Sequence, residues 1–439
     1  MTNSRPLKNR PIYLNKLIAF QDTEPVKVIT GIRRCGKSSL LKLMIQHLKT
    51  TGIPDDQIIT MNFESFAFKD MSADDIYHYV SARALSSKRM YLFFDELQRV
   101  PAWEEAINAF RVDLDCDIYV TGSNAFLLSS EYATILSGRC VEIKMLPLSF
   151  REFLDFYNFS LQQTPSAFGG THTEIVDISG QHYTLREAFD AYMRYGGMPG
   201  IADVGLDQDK ALTLLDGIYS TVIVRDILER EKRRGQRQLT DPILLRKIIL
   251  FLADNIGSTV SLSSVGNTLV NEGLLEDIPR KGAPSTHTVQ AYVNALLESY
   301  FFYEIKRFDI KGKKFLRTLG KYYIVDIGLR NYLLGFRNRD SGHAIENIVY
   351  FELLRRGYDI AIGKIGDQEI DFIATKADEK CYIQVTESMQ SNTTRQRELA
   401  PLQKIRDNHE KLVLSLEPGL DDNYDGIRSL NLVEWLLEK

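Results

Sequence analysis

At 439 residues the chain is too long for one ordinary hydrophobic core, so roughly two to four domains are expected. Its 44% hydrophobic and 26% charged content is that of a globular protein, and a net charge of −4 with a pI near 6.1 gives no global signature of nucleic-acid binding. No apolar run approaches the roughly 18 residues of a membrane span, and the first ten residues lack the apolar segment of a secretory signal, so neither a membrane protein nor a secreted one is expected. Four scattered cysteines, Cys35, Cys116, Cys140 and Cys381, form no CxxC and no His-associated zinc spacing. They read as the reduced thiols of a cytoplasmic protein.

Along the chain, residues 26–30 read as a short β-rich strand and residues 39–48 as a helix. Between them, Gly31-Ile-Arg-Arg-Cys-Gly36-Lys37-Ser38 matches G-x-x-x-x-G-K-[ST] at every fixed position. The glycines allow backbone N–H groups to wrap a phosphate, and the following helix points its positive end at it. Gly31, Ile32, Arg33, Arg34, Cys35, Gly36, Lys37, Ser38 and Ser39 are therefore the expected ATP-binding set. Lys37 is expected to reach the β- and γ-phosphates, and the Ser38 hydroxyl to ligate Mg²⁺. Cys35 is either a small tolerated loop residue or a thiol whose oxidation blocks the nucleotide.

Residues 57–63 read as a second strand. Met90-Tyr-Leu-Phe-Phe-Asp95-Glu96 reads as a third, its apolar run the mark of a strand buried on both faces. Asp95, at the carboxyl end of that strand, is expected to hold Mg²⁺ with Ser38, and Glu96 to orient or deprotonate the attacking water. The plain alternative is a strand ending in two solvated acids. Residues 117–124 form a strand with a polar end, where Thr121, Ser123 or Asn124 either touches the γ-phosphate or the water, or forms an ordinary turn. Residues 139–146 complete the sheet. A strand inserted between the phosphate loop and the Asp95 strand, with Glu96 beside Asp95, suggests the ATPase branch that shares this insertion.

Asp95-Glu96-Leu-Gln-Arg-Val-Pro-Ala-Trp103-Glu, Thr121-Gly-Ser-Asn124 and Leu136-Ser-Gly-Arg139 with Leu146-Pro-Leu-Ser-Phe-Arg-Glu-Phe153 resemble the AAA-superfamily ATPases of prokaryotes. In that group the ATPase domain precedes a large C-terminal domain of unknown function. The resemblance continues through Tyr195-Gly-Gly-Met-Pro-Gly200, Thr221-Val-Ile-Val-Arg225-Asp226, Tyr323-Ile-Val-Asp326-Ile-Gly-Leu and Gly342-His-Ala-Ile-Glu346-Asn. It implies an α/β fold, an AAA-type parallel sheet with a helical lid, and ATP binding at a subunit boundary; the task is left open. Arg139 is then suited to act as a catalytic arginine finger in trans and Arg225 to contact the γ-phosphate in cis. Each is equally well read as an ordinary surface or salt-bridged arginine.

The ATPase domain is expected over residues 1–155 and the helical lid over 156–240, with 160–182 read as a polar loop and helical patterns at 185–193 and 210–228. Residues 241–335 suggest a winged helix, with Pro242 in the first turn of one helix, a short strand and a second helix over 260–269, a capped third helix over 285–298, and a β-wing over 301–325. Between 304 and 321, Lys306, Arg307, Lys311, Lys313, Lys314, Arg317 and Lys321 stand against Glu304 and Asp309. Either this stretch and the 285–298 helix contact DNA phosphates, or the hairpin is solvated in a module for protein contacts.

Residues 336–439 place Glu346 on a helix and Asp371 and Gln384 on strands. A helix acid, a strand acid and a later [EQ]-x-K resemble restriction-endonuclease-like nucleases, where the acids hold Mg²⁺ and lysine steadies the developing charge. Thr386 stands where that lysine belongs and Gln384 is an amide, so a nuclease-like fold without cleavage is expected. The whole reads as an Mg²⁺-dependent ATPase that switches or remodels an unidentified protein partner, with a homo-oligomer as one assembly. A DNA-binding module with a regulatory ATP site and an ATP-regulated nuclease are the alternatives.

Overall fold

The computed structural model describes residues 7–123, 138–165, 171–228, 241–271, 284–316, 319–337, 341–417 and 422–438. The chain packs as two compact units, Met1–Leu146 with Glu298–Tyr300, and Pro147–Leu297 with Phe301–Lys439.

The first unit holds α1 (Pro11–Ala19), β1 (Val26–Thr30), α2 (Lys37–Thr50), β2 (Ile58–Asn62), α3 (Ala73–Ser81), β3 (Met90–Asp95), α4 (Trp103–Asp113), β4 (Cys116–Gly122) and β5 (Cys140–Lys144). The five strands form one parallel sheet in the order β2-β3-β4-β1-β5. β4 thus lies between β1 and β3, as the inserted strand required. β1 and β3 are buried along their whole length because helices cover both faces of a parallel sheet, whereas the edge strand β2 alternates. Ile76 and Val80 of α3 and Ile107 and Phe110 of α4 pack with Leu92, Phe94, Ile118 and Val120. Each fully buried side chain of this size contributes on the order of 1.5–3 kcal/mol. α3 starts where Ser72 and Asp75 form a reciprocal capping box.

The second unit begins with α5 (Phe150–Phe156), then β6 (Ser160–Pro165), β7 (Thr171–Val176) and β8 (His182–Thr184), then α6 (Leu185–Tyr195) and α7 (Gln208–Ser220). Residues 160–182, read from sequence as a loop, instead contain an antiparallel sheet in the order β6-β7-β8. Ile175 and Val176 are buried, which anchors the sheet. The turn formers that suggested a loop concentrate at 166–170, outside the described residues.

There follow α8 (Pro242–Asp254), β9 (Thr259–Val260), α9 (Leu262–Asn271), α10 (Thr286–Glu298), β10 (Phe302–Ile305), β11 (Arg307–Asp309), β12 (Lys314–Phe315), β13 (Gly320–Ile324) and α11 (Ile327–Leu334). The last stretch holds α12 (Ser341–Arg355), β14 (Asp359–Ile365), β15 (Gln368–Lys376), β16 (Glu379–Ser388), α13 (Asn392–Gln403), β17 (Glu410–Glu417), β18 (Asn423–Tyr424), β19 (Ile427–Asn431) and α14 (Leu432–Leu437). β10, β13 and β9 form one small antiparallel sheet. β11 and β12 do not share it, because β11 pairs in parallel with β14 at the edge of an eight-stranded sheet. The expected single wing is therefore divided between two sheets, and its basic residues with it.

Candidate functional site

β1 delivers the chain into its glycine loop at a position that tolerates no side chain. Gly31 has φ 142°, and a Cβ there would lie 2.1 Å from the carbonyl oxygen of Met145. Gly36, at φ 108°, precedes Lys37, the first residue of α2. Lys37 is 4% exposed, and its ammonium donates to the carbonyl oxygens of Gly31 at 2.9 Å and Ile32 at 3.1 Å. A buried cation among neutral carbonyls, beside the N-terminus of a helix, is an environment that favours an anion.

Arg10, which no sequence motif marks, braces this loop from beneath. It is buried and donates to the carbonyl oxygens of Cys35 at 3.0 Å and Leu146 at 3.1 Å. Its guanidinium lies 4.7 Å from the centre of the Tyr13 ring, and the Leu146 N–H donates to the Tyr13 hydroxyl at 3.1 Å.

The carboxyl ends of the parallel strands bring the two acids to the same edge of the sheet. Asp95 Oδ1 accepts from Ser38 Oγ at 3.0 Å and from Thr121 Oγ1 at 2.6 Å, while Oδ2 accepts from Asn62 Nδ2 at 2.9 Å. The Glu96 N–H donates to Thr121 Oγ1 at 3.0 Å, and Glu96 Oε2 accepts from Gln98 Nε2 at 2.6 Å and Ser123 Oγ at 3.4 Å. Both acids are buried. Glu96 also carries a left-handed backbone, φ 58°. Ser38 and Asp95 suit Mg²⁺, which takes one or two protein oxygens and completes its shell with phosphate and water. Among the described residues no group of three or more His, Cys, Asp or Glu could hold a metal without such help.

The rest of the loop divides by exposure. Ile32 and Cys35 are fully buried, and burial pushes the Cys35 thiol up from its ordinary range, the opposite of a reactive thiolate. Arg33 pairs with Glu64, which also accepts from Arg99 at 3.2 Å. Arg34 and Ser39 are exposed. Asn124 lies outside the described residues, as does the side chain of Arg225. Arg139 is exposed, and its carbonyl accepts from the Val26 N–H. That contact sits at the start of β1 while the loop leaves its end, so Arg139 stands roughly 15 Å along the strand from its own phosphate loop.

In the second unit Asp371 contacts Gln384, and Glu346 lies against Lys321 and Glu369, two residues that the nuclease-like pattern did not name. Lys321 Nζ lies 2.9 Å from Glu346 Oε1 and 2.8 Å from Glu369 Oε1. Lys321, counted among the basic residues of the wing, is buried here and is removed from that set. Arg317 lies outside the described residues; Lys306, Lys311, Lys313 and Lys314 are exposed.

Residues 23–154 match a family described as an AAA domain, and residues 186–340 one described as a domain of unknown function. A Haemophilus influenzae protein described as uncharacterized is 39% identical over 437 residues, which cover 99% of this chain and 100% of that one. A Methanocaldococcus jannaschii protein, also described as uncharacterized, is 28% identical over 387 residues, covering 86% of this chain and 78% of its own. Among solved structures, the chain is similar to a Walker-type ATPase of Pyrococcus abyssi, at 16% identity and a TM-score of 0.49, over 75% of this chain and 99% of that one.

Proposed function

This chain belongs to the same family as the Haemophilus influenzae protein and carries an AAA domain, and from that premise we propose that it binds and hydrolyses ATP with Mg²⁺. The observation that carries the reading is the 3.0 Å contact between Ser38 and Asp95, with the buried ammonium of Lys37 one residue away. Lys37 compensates β/γ-phosphate charge, and the loop N–H groups of residues 31–39 hold the phosphates. Ser38 and Asp95 would hold Mg²⁺, with Thr121 and Asn62 fixing the Asp95 carboxylate. When bound, Mg²⁺ would supply positive charge to offset that of the transferred phosphoryl group. Glu96 takes the proton of the attacking water, and Gln98 and Ser123 orient its carboxylate. The test is Lys37→Ala. Nucleotide titration should find ATP binding abolished, and wild-type-like affinity in that variant would sink the assignment.

We further propose that nucleotide state acts on a partner through the second unit, with 241–335 as a winged-helix-like region and 336–439 as a nuclease-like region. Exposed Lys306, Lys311, Lys313 and Lys314 leave their ammonium groups accessible to DNA phosphates, which makes DNA the partner to test. DNA affinity should then fall steeply with salt, and salt-independent binding would favour a protein partner instead.

A further inference from the structure

A nuclease-like fold implies a divalent metal among Glu346, Asp371 and Gln384, and the residues around those positions do not fit one. We propose that the Lys321 ammonium is the resident cation of this cluster, closing it to divalent metal and therefore to phosphodiester cleavage. The inference rests on the nuclease-like reading of 336–439 and is independent of the ATP site.

The strand period puts Lys321 where it is. Lys321 and Tyr323 are two residues apart on β13, so both point to one face of that strand. Both reach Glu346, Lys321 through its ammonium and Tyr323 through its hydroxyl. The register is clamped from α12. Asn347, next to Glu346, accepts from the Ile324 N–H at 3.0 Å and donates to the Ile324 carbonyl at 2.9 Å. A flexible surface lysine would not be delivered this way; its side chain is only 5% exposed.

The polar groups of the cluster already have protein partners. Glu346 and Glu369 face the same ammonium. Asp371 Oδ2 accepts from the Val385 N–H at 2.8 Å. Gln384 is committed at both ends of its amide. Oε1 accepts from the Asp371 N–H at 2.8 Å, and Nε2 donates to Glu398 at 3.0 Å. The turn at Gly257 stands against the same acid, since a Cβ there would lie 3.0 Å from Glu346 Oε2.

The experiment is Mn²⁺ titration of the nucleotide-free full-length protein, read by electron paramagnetic resonance, with plasmid nicking alongside. Wild type and Glu346→Gln should bind equal amounts of Mn²⁺, and neither should nick DNA. Lys321→Ala should gain about one Mn²⁺ per chain, lost again when Glu346→Gln is added. Wild-type binding that drops by one equivalent in Glu346→Gln, or nicking by wild type that Asp371→Ala abolishes, would overturn the proposal. So would a folded Lys321→Ala that gains no metal. If Lys321→Ala does not fold, the comparison of wild type with Glu346→Gln decides alone. Loss of ATP hydrolysis in any of these proteins bears on the other site and not on this one.

Discussion

Glu96 holds a left-handed backbone conformation that costs a non-glycine residue roughly 1–2 kcal/mol. Its N–H bonds to Thr121 and its carboxylate is gripped by Gln98 and Ser123, so the strain is maintained by specific contacts. If the carboxylate serves as base, Glu96→Gln should bind ATP normally and turn over at least about a hundredfold more slowly. Phosphate-release kinetics would show it, and unchanged turnover would move that role elsewhere. The phosphate loop, Asp95 and Glu96 were legible in the sequence because local spacing alone identifies them. Asn62 and Arg10 were not, because they reach the site through the sheet and through tertiary packing, outside any motif. Gln98 lies inside the quoted motif, but its contact with Glu96 depends on the turn that follows β3.

At the scale of elements, the strands and helix around the phosphate loop and helices such as α8 and α10 were readable from apolar runs and caps, while α3, α4 and several strands were not assigned. β14 was one, and β6 to β8 passed for a loop because turn formers outnumbered the two buried residues that anchor the sheet. The start of α11 carries the clearest pH consequence. Asp326 caps it by accepting from the Leu329 N–H at 3.0 Å, and also accepts from the Gly197 N–H at 2.6 Å. Burial nevertheless pushes its carboxyl up to about 6. A raised acid stabilises the fold below its unfolded value near 4 and loses that contribution as pH climbs through about 6. Relative to Asp326→Asn, which cannot ionise, wild type should therefore lose on the order of 1–3 kcal/mol between about pH 4 and 6 and change little above. Paired denaturant melts across that range measure it, and a flat difference would show that the backbone donors fully offset burial.

For the whole molecule the open question is assembly. Among the described residues no helix is long and apolar enough to cross a membrane. Arg139 is exposed at the opposite end of β1 from its own phosphate loop, so a role in hydrolysis would require a second copy's nucleotide. Specific activity should then rise with protein concentration, and Arg139→Ala should bind ATP but not turn it over. Mixing Arg139→Ala with Lys37→Ala should recover part of the activity, since each supplies the half-site that the other lacks. A concentration-independent rate with no recovery on mixing would leave Arg139 an ordinary surface residue.

The brace formed by Arg10 and Tyr13 bears on where this molecule can be divided. The recognisable AAA segment opens at residue 23, yet the guanidinium that ties Cys35 to Leu146 lies upstream of it. An excised fragment beginning at 23 would leave two buried carbonyls without their donor, at about 1–3 kcal/mol each. Compared with an otherwise identical fragment beginning at residue 7, it should melt earlier and bind nucleotide more weakly. Equal melting would make the helix an ornament; a clear gap would make it the true first element of the nucleotide-binding module.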